Sequence, residues 1–288
     1  MMKEKGFGGL SGSTLKLIAC VAMFFDHLGL VVFPKVMIYR AIGRLAFPIF
    51  AYFIAEGCKY TRNKLKHFLL IFSVGMIYFF FYLIAFGSAY PSIFLTFSVS
   101  ILNIYLIDYL KRYAFLPITE NTAASGVLGV SYTDGAEFSY TQPRVKPYRV
   151  AIAILVMALS LLVSAIPFSL VKFDYGYLGM LGPVLISLVD FSKIKVPEKL
   201  RFLDTVPTRL LLLATVCIGV AVKNPALKVQ LFGLVFTVQV FNLLALPLLA
   251  LYNGKVGTKR LKYFFYAFYP VHLGVIMVIE ILIQVFTR

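Results

Sequence analysis

Nine predominantly apolar stretches follow one another between turn signals, at roughly 14–33, 37–58, 67–87, 91–110, 149–167, 174–190, 208–222, 229–252 and 263–286. Each approaches the ~20 residues that a helix needs to cross the hydrocarbon layer. Inside lipid every backbone amide must be paired within its own segment or around a closed barrel. None of these stretches divides into the short alternating strands of a barrel. The sequence therefore predicts an all-α fold, a polytopic transmembrane helix bundle of about nine spans. Composition agrees: 60% of the 288 residues are hydrophobic and 14% charged, more apolar surface than one soluble core can hide. The first run is too long for a signal-peptide core and lacks a small-residue cleavage site, so it reads as a retained helix.

The 28 Lys and Arg set the orientation. One alternating set of connections holds Lys3, Lys5 and Lys16, four residues from Lys59 to Lys66, five from Lys111 to Arg149, five from Lys193 to Arg209 and four from Lys255 to Lys262. The other set holds only Lys35, Lys172, Lys223, Lys228 and Arg288. The positive-inside rule makes the first set, and the N-terminus with it, cytoplasmic. The net charge of +16 is then mainly an anchoring signal, dispersed over five connections in a way that does not suit nucleic acid. A bacterial cytoplasmic (inner) membrane, crossed many times, is the expected location.

One long polar connection, "AFLPITENTAASGVLGVSYTDGAEFSYTQPRVKPY", interrupts the apolar pattern. Rich in Ser, Thr, Gly and Pro and without a sustained period, it reads as a flexible cytoplasmic insert. It divides the chain into a four-helix block, 1–113, the candidate catalytic core; the insert, 114–148; and a five-helix block, 149–288. The two blocks show no internal repeat, which disfavours repeat-built transporters. Cys20, Cys58 and Cys217 lie at unrelated spacings and indicate neither a disulfide framework nor a metal cluster.

Within so apolar a chain the ionisable residues inside spans stand out, each costing a few kcal/mol at the bilayer centre. "FFDHLGLVVFPK" places Asp26 and His27 in the outer half of the first span. Arg40 and Arg44, one helical turn apart and so on one face, enter the second from outside. Asp174, in "FDYGYLG", opens the sixth, and His272, in "FYPVHLG", sits about midway along the ninth. Pairing Asp26 and Asp174 with Arg40 and Arg44 would offset the burial of all four. Consecutive residues on a helix point about 100° apart, so Asp26 need not touch His27.

Simpler roles stand beside these. A lone intramembrane His is often a structural hydrogen-bonding group, and Arg40 can snorkel to the interface. Glu56, Asp108 and Asp190 fall at helix ends, where a carboxylate near a lysine is ordinary. Pro48, Pro167, Pro247 and Pro270 mark kinks. The basic runs "KYTRNKLKH" and "GKVGTKRLK" serve as topology anchors or as a rim that attracts a phosphorylated cosubstrate. The motifs of P-loop ATPases, zincins and serine hydrolases are absent. Three His without Cys/His spacing argue against a tight catalytic zinc, so no metal is expected.

"LKLIACVAMFFDHLGLVVFP", "RAIGRLAFPIFAYFIAEGCKYTRN", "DYGYLGMLGPVL" and "GTKRLKYFFYAFYPVHLGVIMVI" together resemble the TraX family of conjugation proteins, in order and spacing over most of the chain apart from the insert. The founding member of that family is associated with acetylation of the amino terminus of F pilin. The first two segments are also similar to the wider group of transmembrane acyltransferases, which take acetyl-CoA from the cytosol and use a membrane-embedded His. The resemblance implies acetyl-CoA as cosubstrate and a peptide or pilin-like amine as acceptor. It makes His27 the leading base, Asp26 its charge-balancing neighbour and His272 the second candidate. Arg40 and Arg44 become oxyanion stabilisers or acceptor binders, and Glu56, Asp174 and Tyr269 supporting residues. Lys59, Arg62, Lys64, Lys259 and Arg260 are the expected cytoplasmic phosphate ligands.

The chemistry suits these residue types independently. An α-amine with a pKa near 7.7–8.0 needs only a nearby imidazole to complete its deprotonation as it attacks a thioester. A desolvated Arg is a strong donor to the developing oxyanion. No Cys or Ser stands in an obviously activated position, so direct transfer is expected ahead of an acyl-enzyme. The competing class is a proton-coupled secondary transporter with Asp26, His27 and His272 as relay. A scaffold in pilus assembly is a third reading. Acceptor identity, acyl length and oligomeric state are not encoded in any motif.

Overall fold

The second apolar stretch shows how this sequence shapes its helices. In the computed structural model, which describes residues 9–87, 91–115, 146–194, 196–224, 228–231 and 233–286, it forms two helices, α2 (Met37–Gly43) and α3 (Ala46–Tyr60), with a break at Arg44 and Leu45. Pro48 explains the break: it has no N–H to give, and its ring would clash with the Arg44 carbonyl one turn back. The chain passes the step on tighter bonds, from Arg44 N to the Ala41 carbonyl and from Leu45 N to the Ile42 carbonyl. The bend faces the Arg40 and Arg44 side chains inward instead of out to an interface.

The other helices start where the sequence supplies a cap. α1 (Gly12–Val31) begins at Ser11, whose hydroxyl accepts from Thr14 N. α4 (Lys64–Phe86) begins at Asn63 and ends at Gly87 in the left-handed conformation, φ 65°. α5 (Ile93–Ala114) follows, then α6 (Pro147–Leu170), which opens on a proline that needs no amide partner. α7 (Gly176–Leu188), a short α8 (Glu198–Arg201) and α9 (Val206–Lys223), capped by Thr205, complete the middle of the chain. α10 (Ala245–Ala250) and α11 (Lys262–Phe286) close it.

Two of the nine expected spans differ from expectation. The sixth run yields α7, whose 13 residues reach about 20 Å, short of a ~30 Å hydrocarbon layer. The eighth, 229–252, is not one helix. It is a hairpin of β1 (Lys228–Leu231) and β2 (Leu234–Thr237), paired antiparallel with Lys228 opposite Thr237, then a 3₁₀ segment (Val238–Leu244) and α10. Gly233, at φ 80°, turns the hairpin, and the β-branched content of "VQLFGLVFTVQVF" favours extended backbone. Among the described residues seven helices are long and apolar enough to cross a membrane, counting α2 and α3 as one span. The chain is a multi-pass membrane protein. The insert lies almost wholly outside the described residues, at 116–145, as do Lys3, Lys5, Arg144, Lys195 and Arg288.

α3 lies at the centre, packed on α1, α5, α7, α9 and α10. α7 sits between α5 and α9, α4 and α6 lie on α5, and α11 lies on α1. Leu15, Ile49, Tyr52, Ile101, Met180 and Leu213 are among the large, fully buried members of the core. α6 buries little more than Ala153 and presents the rest of its surface outward, as a lipid-facing helix does.

At the Lys59 end of the bundle an ion cluster ties α3, α7 and α9 together. Arg209, 2% exposed, meets Asp204, with Glu56 at 3.6 Å and Asp190 at 3.7 Å. Lys59 reaches Asp190 at 3.3 Å, and Lys111 donates to the Ser187 carbonyl at 2.5 Å and the Asp190 carbonyl at 3.0 Å. Glu56, Asp190 and Arg209, each read singly as helix-end charges or anchors, thus belong to one buried clasp. Burial alone would raise the Asp190 carboxyl, but Lys59, the Ser192 hydroxyl, Arg209 and the Ser192 amide outweigh it and hold it below the usual carboxylate range. A depressed carboxylate contributes stability that is present above its unfolded pKa, near 4, and is lost as pH falls through the folded value. Asp190→Asn should cost about 1–3 kcal/mol at pH 7 and flatten the acid limb of a thermal-stability profile below about pH 4. An unchanged acid limb would assign that limb to other groups.

Candidate active site

The break in the second span directs two guanidiniums at α1. Arg40 Nη1 lies 3.0 Å from Asp26 Oδ1 and donates to the Asp26 carbonyl at 3.2 Å. Arg44 Nη2 pairs with the same carboxylate oxygen. α2 approaches α1 this closely because residue 43 is glycine: a Cβ there would run into the Asp26 side chain. Asp26 therefore turns to the arginines and not to His27. Arg44, 5% exposed, spends its remaining donors within the protein, Nε on the Arg40 carbonyl (3.2 Å) and Nη1 on Tyr175 Oη (3.3 Å) and Gln239 Oε1 (3.4 Å). Arg40 keeps Nε and Nη2 without a protein acceptor among the described residues. A buried pair of guanidiniums sharing one carboxylate is a net positive site, costly to build and suited to charge that develops transiently beside it.

Tyr175 holds its place at some strain. It is a non-glycine residue at φ 57°, with its ring stacked on Phe47 at a centroid distance of 4.2 Å. Asp174, expected to share the arginines, contributes to the field at both. Its backbone clamps the start of α5: its amide donates to the Pro91 carbonyl (3.2 Å) and its carbonyl accepts from Thr96 Oγ1 (3.0 Å).

One face around α1 from Asp26, His27 meets His272 of α11. His272 Nε2 and His27 Nδ1 are 3.1 Å apart. His272 Nδ1 lies 2.8 Å from the Phe268 carbonyl and His27 Nδ1 3.0 Å from the Met23 carbonyl. A carbonyl only accepts, so each neutral ring carries its proton on Nδ1. His272 then offers a lone pair at Nε2 to the Nδ1 proton of His27, and His27 Nε2 is left as an open basic nitrogen with no protein partner among the described residues. Phe268 stacks on His272 at 4.9 Å, and Tyr269, 2% exposed, sets its ring edge-on to both imidazoles. His27 stays half-buried while His272 is 3% exposed. The pair joins residues 245 positions apart, and Tyr269, expected to support the site, is part of its packing.

A cavity of about 640 Å³ opens at the Lys59 end and runs between α1, α3, α4 and α11 toward this pair. Along α1 its wall climbs from Gly12 to Met23, about 16 Å. Its inner wall is Met23, whose carbonyl holds His27, and Phe94, whose ring lies 4.8 Å from that of Tyr269. Lys16, Arg62 and Lys66 line its outer part. Of the expected phosphate ligands Arg62 is there. Lys59 faces Asp190, and Lys64 faces Asp108 (3.9 Å) and the Tyr105 ring. Arg260 is exposed and outside the cavity wall, and the Lys259 side chain lies outside the described residues. Glu56 joins the Arg209 clasp and also borders the cavity.

Lys16 and Lys66 were indistinguishable from topology anchors in sequence. In the structure Lys16 reaches inward over the Phe53 ring at 4.9 Å. Among the described residues no group of His, Cys, Asp or Glu is arranged to hold a metal ion.

A family model described as "TraX protein" matches residues 11–280, and the chain belongs to that family. A protein of uncharacterised function from Rickettsia prowazekii (strain Madrid E) is 49% identical over 39 residues, 14% of this chain and 16% of that relative's length. So short a match covers a small part of the relative and carries no functional argument. No solved structure matches.

Proposed function

We propose that this TraX-family membrane protein transfers an acetyl group from acetyl-CoA, entering from the cytoplasm, to an acceptor amine in the outer half of the bacterial cytoplasmic membrane. The acceptor class we favour is a peptide or pilin amino terminus, in line with the role associated with the family. One observation carries the reading: a cavity with a cationic outer part runs through the bundle to Met23, whose carbonyl holds His27, and His27 is paired with His272 while keeping an unengaged basic nitrogen.

In this mechanism Lys16, Arg62 and Lys66 hold the phosphates of the donor, and the apolar cavity takes its pantetheine arm. The amine attacks the thioester carbonyl as His27 Nε2 accepts its proton. The imidazolium that forms is stabilised by its Nδ1–H bond to His272 Nε2, and the oxyanion by the free donors of Arg40. Collapse breaks the C–S bond, the CoA thiolate leaves, and His27 returns the proton to it. Arg44, with all three of its nitrogens engaged within the protein, positions Asp26 and Arg40 without touching substrate.

Acetyl-CoA binding to the purified chain in nanodiscs tests the proposal. The double variant Arg62→Ala/Lys66→Ala should raise the donor KM about 10- to 100-fold and leave kcat within a few-fold. A folded protein that binds no acetyl-CoA, or that instead shows pH-gradient-driven uptake without CoA, would overturn the reading.

A further inference from the structure

The inner end of the cavity is closed by aromatic rings, and they bear on what the donor carries. Phe94 lines the cavity on one side and on the other meets Tyr269 edge-on, at 4.8 Å and 76°. Tyr269 backs onto Tyr78, ring edge to ring face, at 5.0 Å. Tyr269 and Tyr78 are 2% and 5% exposed, so no empty space lies behind them for a longer ligand to enter.

The wall is also fixed in place. Phe94 is the second residue of α5, whose start is clamped to Asp174 through the Pro91 carbonyl (3.2 Å) and Thr96 Oγ1 (3.0 Å). α4, itself a wall of the cavity, passes so near that a Cβ on Gly75 would stand 2.9 Å from the Leu95 side chain. These contacts tie the start of α5 to its neighbours. Tyr269, for its part, is wedged among Phe94, Tyr78, His27 and His272.

We propose that Phe94, backed by Tyr269, is the acyl-length determinant, stopping the donor at a two-carbon acyl group. This rests on the acyltransferase reading. A thioester carbonyl within reach of His27 lies beside this wall, and each further methylene must displace Phe94 or push Tyr269 off the histidines. Longer chains therefore lose binding and also disturb the base. A fixed apolar wall discriminates by about 10- to 200-fold per methylene, so wild-type protein should prefer acetyl-CoA to butyryl-CoA by at least tenfold.

The experiment compares acetyl-, butyryl- and hexanoyl-CoA in nanodiscs, both as donors to a model peptide amine and as competitors of labelled acetyl-CoA. Phe94→Ala should raise the butyryl-to-acetyl ratio of kcat/KM about 10-fold or more, with Phe94→Leu between it and wild type. Melting temperature and elution volume report on folding, and where Phe94→Ala fails to fold the leucine variant decides. Wild-type protein that uses acetyl-CoA while both folded variants keep the wild-type chain-length order overturns the assignment of Phe94 and leaves the acyltransferase reading standing. Wild-type preference for butyryl- or hexanoyl-CoA overturns it too. No binding or transfer with any of the three donors overturns both together.

Discussion

His27→Ala should reduce acetyl transfer by at least 10²-fold, and by up to about 10⁴-fold, while acetyl-CoA binding stays within a few-fold of wild type. The expectation follows from how protons are assigned in the pair. Backbone carbonyls at Met23 and Phe268 fix an Nδ1 proton on each ring, so the one lone pair without a protein partner is on His27 Nε2. Removing His27 removes the base. His272→Gln has a different signature, because His272 touches the base and not the amine. It withdraws an acceptor from the imidazolium, a hydrogen bond to a charged group worth about 1.5–3 kcal/mol, so kcat should fall about 10- to 150-fold. The limb of the pH–rate profile that reports the base should move in the His272 variant and vanish in the His27 variant, leaving the rise that follows the amine's own deprotonation near pH 7.7–8.0. Mass spectrometry of the acceptor's amino terminus reads the same comparison in cells, through the acetyl mass of about 42 Da. Retained acetylation with His27→Ala would remove the base from His27, and equal losses with equal profiles would dissolve the distinction between the two histidines.

That pair shows where the sequence was legible and where it was not. Intramembrane His27, His272, Asp26, Arg40 and Arg44 stand out because charge in an apolar run is costly and rarely accidental. Their roles depend on which helix faces which, and no local pattern carries that. Asp26 beside His27 in sequence turns to Arg40 and Arg44 in space, and His27 finds a partner 245 residues away. Which basic residues line the cavity was illegible for a related reason. Lys16, Lys59, Lys64 and Lys66 are equivalent as carriers of topology, and only the helix phase separates those that line the cavity, Lys16 and Lys66, from those that face Asp190 and Asp108.

The span pattern was legible for the same physical reason that it failed at 229–252. Hydropathy reports the wish to leave water and says nothing about backbone pairing. α1, α4, α5, α6, α9 and α11 satisfy that wish as single helices. The stretch from Lys228 to Ala250 instead forms a hairpin and short helical turns, which deliver Gln239 to Arg44. Gln239 is one of three side-chain amides in that apolar run, with Gln230 and Asn242, and an amide there is a recognisable sign of an interhelical contact. Irregular backbone near a membrane is tolerated where it is buried in protein, and the buried Val238, Gln239, Asn242 and Ala245 meet that condition.

Asp26→Asn should destabilise the protein by about 3–5 kcal/mol, the cost of leaving buried guanidiniums without their counter-ion. Asp26 is the carboxylate that pairs with both Arg40 and Arg44, and their side chains are only 13% and 6% exposed. Gly43 holds the α2 backbone against Asp26, and Arg44 is also tied to Tyr175 and Gln239. The double variant Asp26→Asn/Arg44→Gln should recover part of the loss, with a coupling of about 0.5–3 kcal/mol in a thermal-unfolding cycle in nanodiscs. A triple variant, Asp26→Leu/Arg40→Met/Arg44→Met, separates stability from purpose. A well-packed apolar replacement of a buried ion cluster is often neutral or stabilising, so this protein should melt near or above wild type. It should nevertheless be inactive, because the free donors of Arg40 are gone while His27 and His272 remain. An active triple variant would make the cluster a structural pin and return the oxyanion to other donors. A triple variant that unfolds with Asp26→Asn unharmed would show that the arginines, and not the carboxylate, hold α2 to α1.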